Sequence, residues 1–144
     1  MKSMINICVL CGFLMLLSTC EQSTSFSNTD KLFEVEWELR SFEQIPGAKL
    51  RVPQDQIYTL NVKKNFEISG RADCNLYGGQ AVIQSGAIAI RELTQTEIAC
   101  GPASQGDKFV NALMDASNFE VDDNSLRIFY DANMGALNFV RNEK

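Results

Sequence analysis

The chain has 144 residues, with 13 Lys and Arg against 18 Asp and Glu, a formal net charge of −5 and no histidine. The missing imidazole removes the commonest general base, the commonest zinc ligand and every Ser-His or Cys-His pair. Only Lys63-Lys64 forms an adjacent basic pair, so a nucleic-acid partner, which needs clustered cations on phosphate, is excluded as an expectation.

The chain opens with Lys2 and then an apolar run from Met4 to Leu17, broken by Asn6 and Gly12. That is the pattern of a secretory signal, and it falls short of the ~20 apolar residues of a comfortable bilayer-spanning helix. Leu17-Ser18-Thr19-Cys20 resembles a lipobox, with Thr19 where Gly, Ala or Ser is usual. The expectation is a signal peptide over 1–19, lipid on Cys20, a polar tether over 20–30 and one domain over 31–142. An ordinary signal peptide or an uncleaved anchor is the alternative. More than one acyl chain gives stable anchoring. The protein is therefore expected in the cell envelope, lipid-anchored, on an outer membrane facing the periplasm or the cell surface.

Five cysteines then sort themselves. Cys8 and Cys11 leave with the signal, Cys20 takes lipid, and Cys74 and Cys100 remain. An even remainder in an oxidising compartment predicts one disulfide, with two separate buried thiols as the alternative.

Within the domain, Phe33, Val35, Trp37 and Leu39 alternate with Glu34, Glu36, Glu38 and Arg40, which predicts a half-buried strand with a solvated glutamate face. Pro46-Gly47 and Pro53 punctuate a loop. Ile57 to Val62 and Phe66 to Ser69, joined by Lys63-Lys64-Asn65, read as a hairpin. Gly70 to Gly79 reads as turn-rich. Ala81 to Ile83 and Ala87 to Ile90 form a second hairpin, and Leu93 to Cys100 is strand or extended loop.

Ser104 to Ser117 carries Phe109, Val110, Leu113, Met114 and Ala116 at helical spacing, with Ser104 and Asp107 as a capping box. Phe119 to Val121, Ser125 to Tyr130 and Ala136 to Arg141 follow as strands, separated by Asp, Asn and Gly turns. The sum is a mainly β (α+β) domain, a small antiparallel barrel-like sheet of lipocalin-like topology with one packed α-helix.

Candidate chemistry is sparse. Asp131, Asn133 and Gly135 have the spacing of part of a calcium loop but lack its closing glutamate, so a hairpin turn is the reading. There is no S-x-x-K, no P-loop and no G-x-G-x-x-G after a strand. No catalytic residue, cofactor or metal is expected.

The segment Gly70-Arg71-Ala72-Asp73-Cys74-Asn75-Leu76-Tyr77-Gly78-Gly79, followed by Thr94-Gln95-Thr96-Glu97-Ile98-Ala99-Cys100, resembles the signature of the META domain (HslJ-like) family. Trp37-Glu38-Leu39 and Leu137-Asn138-Phe139 fit it too. The resemblance implies a small antiparallel barrel with one helix, often exported and lipid-anchored, without established catalysis and linked to stress tolerance. Leu76 and Glu97 stand where the family often has arginine, so if those arginines belong to a shared binding surface, this chain is expected to bind differently or not at all. Asn75, Tyr77, Gly78 and Gly79 read as a turn that either binds a partner or determines the fold.

The function expected is therefore that of a non-enzymatic, monomeric envelope lipoprotein, held to the membrane through Cys20 and binding an unknown protein or envelope component. Two alternatives are an apolar ligand inside the barrel, unless Trp37, Phe66 and Phe139 fill it, and protease inhibition by an exposed segment near Cys100-Gly101-Pro102.

Overall fold

The computed structural model describes residues 28–143, so the segments expected as signal peptide and tether, with Cys20, lie outside the described residues up to residue 27. After a short 3-10 turn at Asn28–Leu32, the elements are β1 (Glu36–Gln44), β2 (Lys49–Arg51), β3 (Thr59–Val62), β4 (Glu67–Ala72), β5 (Asn75–Gln84), β6 (Ala87–Gln95), α1 (Gly106–Met114), β7 (Ala116–Val121), β8 (Ser125–Tyr130) and β9 (Gly135–Arg141). Strands β3 to β9 neighbour one another in sequence order, all antiparallel, and β1 pairs with both β3 and β9. The result is a closed eight-stranded barrel, with β2 flanking the second half of β1. The weakest seam is β6 to β7, where pairing is confined to Ala87 and Asn118.

Alternation places Trp37 and Leu39 inside as expected, but a bulge between Leu39 and Ser41 shifts the period and buries both Ser41 and Phe42. Trp37, Leu60, Leu126, Ile128, Leu137 and Phe139 are almost fully buried. Helix α1 closes one end, its Phe109 ring standing 5.3 Å from Tyr58, 5.8 Å from Tyr77 and 6.2 Å from Phe139. At the other end the 3-10 turn drives Leu32 into the core, and its carbonyl accepts a hydrogen bond from Trp37 Nε1 at 3.1 Å. Eight strands leave an interior just wide enough for side chains. Side chains occupy the place where a lipocalin-like ligand would sit, while clefts of about 230 to 530 Å³ open on the outer surface.

Four expectations are corrected. Gly70 to Gly79 is not a turn but the end of β4, a two-residue turn at Asp73-Cys74 and the start of β5. Phe66 does not fill the barrel; it is 41% exposed on the β3–β4 turn at φ +67°. The helix is shorter, leaves Met114 exposed and buries Ala112 instead, and Ala116 begins β7. The capping box does not form: Gln105 is the N-cap, and Ser104 Oγ accepts the Gly106 N–H at 3.2 Å.

On the outer face Glu43 ties four strands together. Asn138 Nδ2 donates to its carboxylate at 3.1 Å, and Arg127 and Lys49 approach at 3.2 and 3.6 Å. The Asn138 hydrogen bond lowers its pKa, assisted by Arg127 and Lys49 and opposed by burial. A lowered folded-state pKa stabilises above the ordinary carboxylate value of about 4.3, and that contribution is lost as pH falls through the folded value. Thermal melts should therefore show Glu43→Gln less stable than the parent at pH 7, with the gap closing as the pH falls below about 4.3. A gap unchanged with pH would contradict this role.

Candidate functional site

The residues singled out in the sequence converge on the barrel rim at the α1 end. Asp73 takes the left-handed conformation, at φ +61°, and its N–H donates to Ile57 O at 2.8 Å. This frees Asn75 to start β5 and to use its side chain as a surrogate strand. Its Oδ1 accepts from Ile98 N–H and from the Thr96 hydroxyl, both at 2.8 Å. Its Nδ2 donates to Ile98 O at 3.0 Å and meets Cys100 Sγ at 3.5 Å. One amide thus satisfies both backbone groups of Ile98 and holds the segment that follows β6. Thr96 completes the clasp, its Oγ1 accepting Leu76 N–H at 3.1 Å and its N–H donating to Leu76 O at 3.0 Å.

Cys74 and Cys100 are joined as a disulfide across the same clasp, with Cα atoms 5.7 Å apart and a sequence separation of 26. Beyond it a buried polar chain seats the helix. Tyr58 donates to Gln56 Oε1 at 2.7 Å and accepts Gln105 N–H at 2.7 Å, while Gln56 Nε2 donates to Ala103 O at 2.9 Å. Burial pushes the Tyr58 hydroxyl above its usual pKa, so it stays a neutral donor and acceptor.

Tyr77 and Gly70 stand opposite each other in the β4–β5 ladder. The Tyr77 side chain crosses Gly70 and donates to Thr59 O at 2.7 Å, and Arg71 N–H turns to Thr59 Oγ1 at 3.1 Å. A Cβ on Gly70 would collide with the Thr59 carbonyl. Gly79 has a similar use, since a Cβ there would meet Arg91 O at 2.9 Å beside the β5–β6 bulge. These glycines permit close strand approach, and Gly78 continues the strand between them.

Outside this wall runs a cleft of about 480 Å³ whose lining includes Glu36, Glu38, Ile57, Arg71, Leu76 and Asn142. Ile57 and Leu76 are 41% and 59% exposed. Asn142 Nδ2 donates to Glu36 at 2.6 Å, Arg40 pairs with Glu38 at 2.8 Å, and Arg71 Nη2 donates to Asp73 O at 3.1 Å. The cleft offers an apolar end and an acidic end. Sequence reasoning took Glu36 and Glu38 as a plain solvated face and missed Ile57. Its one signal was Leu76, noted as a departure from the family pattern. Among the described residues no cluster of His, Cys, Asp or Glu could hold a metal.

The profile of the META domain matches residues 30–144. No curated protein matches the sequence. A solved NMR structure of a protein from Burkholderia xenovorans is 26% identical, with a TM-score of 0.69 over 81% of this chain and 87% of that one. A crystal structure of a DUF4847 family protein from Bacteroides vulgatus is 13% identical, with a TM-score of 0.61 over 81% of this chain and 98% of that one, and shows the fold alone.

Asn75→Ala should cost about 1–3 kcal/mol in urea unfolding, because its hydrogen bonds to Ile98 and Thr96 are lost together, each worth about 0.5–1.5 kcal/mol net. Reduction of the disulfide should cost roughly 3 kcal/mol, and non-reducing peptide mapping should recover Cys74 joined to Cys100. Free thiols at both positions, or an Asn75→Ala midpoint equal to the parent's, would contradict the clasp.

Proposed function

Since the chain belongs to the META domain family, we propose that it is a lipid-anchored, non-enzymatic envelope protein, working as a monomer, whose outer cleft binds a protein or envelope component under stress. The observation that carries this reading is the rigid apolar pair Ile57 and Leu76, exposed beside Glu36, Glu38 and Arg71. Apolar side chains that stay exposed on a locked wall, rimmed by charge, suit a protein contact. The wall is locked because the backbone of Leu76 is held by Thr96 and that of Ile57 by Asp73. Catalysis lacks its usual parts, since the chain has no histidine and no nucleophile motif. Anchoring through Cys20 would raise the local concentration of the cleft for a partner on the same membrane.

A photocrosslinking residue at Leu76 in the full chain, in cells under envelope stress, should capture a discrete adduct. The same residue at Val82, which is exposed on β5 and outside the cleft, should not. Equal capture at both positions, or turnover of an ester, peptide or glycan by the purified protein, would sink the reading.

A further inference from the structure

The end of the barrel opposite α1 gathers the incoming chain and two turns. Lys31 Nζ lies 2.9 Å from Asp123 on the β7–β8 turn. Lys64 N–H on the β3–β4 turn donates to Glu34 at 3.0 Å, and the Phe33 and Phe66 rings meet edge-on at 5.8 Å. That turn is closed by Phe66 N–H to Lys63 O and by Lys63 N–H to Glu67 O, both at 2.9 Å. It leaves Phe66 in the left-handed region, at the last position of a three-residue hairpin loop, which glycine normally fills. Strain of this kind persists where the side chain has a task. Packing on Phe33 is only part of that task, because Phe66 stays 41% exposed.

We propose that the turn Lys63-Lys64-Asn65-Phe66 is a bilayer-contacting tip, with the Phe66 ring among the upper acyl chains and the Lys64 ammonium at the phosphates. The inference rests on the lipid-anchor reading of Cys20. An exposed aromatic ring beside lysines is interfacial chemistry. Of the carboxylates near the turn, Glu67 pairs with Lys63 and Asp123 with Lys31, while Glu34 and Asp122 accept backbone N–H groups and keep their charge. Lys64 makes no ion pair among the described residues, so the segment from Lys63 to Glu67 carries one net positive charge, with the Glu34 carboxylate beside it.

Length points the same way. Residues 21–27 separate Cys20 from Asn28 and span at most about 28 Å, so the chain enters the domain at this end and within that reach of its lipid. The disulfide rim lies about 20 Å away along the six residues of β4. One ring binds a bilayer weakly in solution, but on a chain anchored to the same bilayer the contact is intramolecular.

The test uses the full lipidated chain in vesicles of phosphatidylcholine and phosphatidylglycerol, with and without brominated acyl chains. Trp37 is fully buried and supplies a constant background. Phe66→Trp should gain blue-shifted emission that brominated lipid quenches, whereas Leu76→Trp at the far end should not be quenched. Asn65→Trp repeats the probe on the same turn should Phe66→Trp fail to fold. Equal quenching at the two ends, or none at the turn, overturns the tip. Vesicle flotation reports the anchor separately. If the chain does not float, the lipid reading fails, and the tip is judged by the same quenching on the chain coupled through Cys20 to a maleimide-headgroup lipid.

Discussion

The hydrogen bond from Tyr77 to the Thr59 carbonyl, passing over Gly70, is the contact on which the barrel's closure turns. The β3–β4 ladder is regular at Asn61 with Ser69 and at Val62 with Ile68, resumes at Tyr58 with Ala72, and opens between them. There Tyr77 supplies the donor to Thr59 O, and Thr59 Oγ1 supplies the acceptor to Arg71 N–H. Two side chains thus stand in for a pair of backbone bonds while the strands bend. A buried carbonyl left without a donor would cost about 1–3 kcal/mol, so the bend and the tyrosine require each other. Burial raises the Tyr77 pKa well above the usual value and keeps the donor protonated.

From that bend the rest of the rim follows. Bent strands bring the Asp73-Cys74 turn beside the segment after β6, where Asn75 and the disulfide fasten it. That segment delivers α1, whose Gly106 lies so close to Ala72 O that a Cβ would stand 3.2 Å from it. The helix in turn places Phe109 against Tyr77 and Tyr58. Core, clasp and helix are one cooperative arrangement. What remains available for recognition is the outer surface, where Ile57 and Leu76 are presented by a wall that is itself fixed.

Much of this was legible in the sequence because each feature had a local cause. Alternation around Trp37 marked β1, the Asp and Asn clusters marked the turns after β7 and β8, and the helical spacing of Phe109, Val110 and Leu113 marked α1. Family resemblance and cysteine count both singled out Cys74 and Cys100. What failed was non-local. Gly70, Gly78 and Gly79 looked like turn residues because glycine density signals a turn, yet Gly70 and Gly79 serve close approaches between strands far apart in sequence. Phe66 looked like core because its size says so, and only the turn's closing hydrogen bonds place it outside. Of the Ile57–Leu76 cleft only Leu76 was marked, as a departure from the family pattern, since strand pairing alone brings the two residues together.

Urea unfolding of Tyr77→Phe tests the closing contact most directly, because the ring still fills the barrel while the donor is gone. The expected result is native-like circular dichroism in buffer and a loss of about 1–3 kcal/mol of stability, as befits a buried carbonyl deprived of its partner. A variant as stable as the parent would show that closure does not depend on this hydrogen bond.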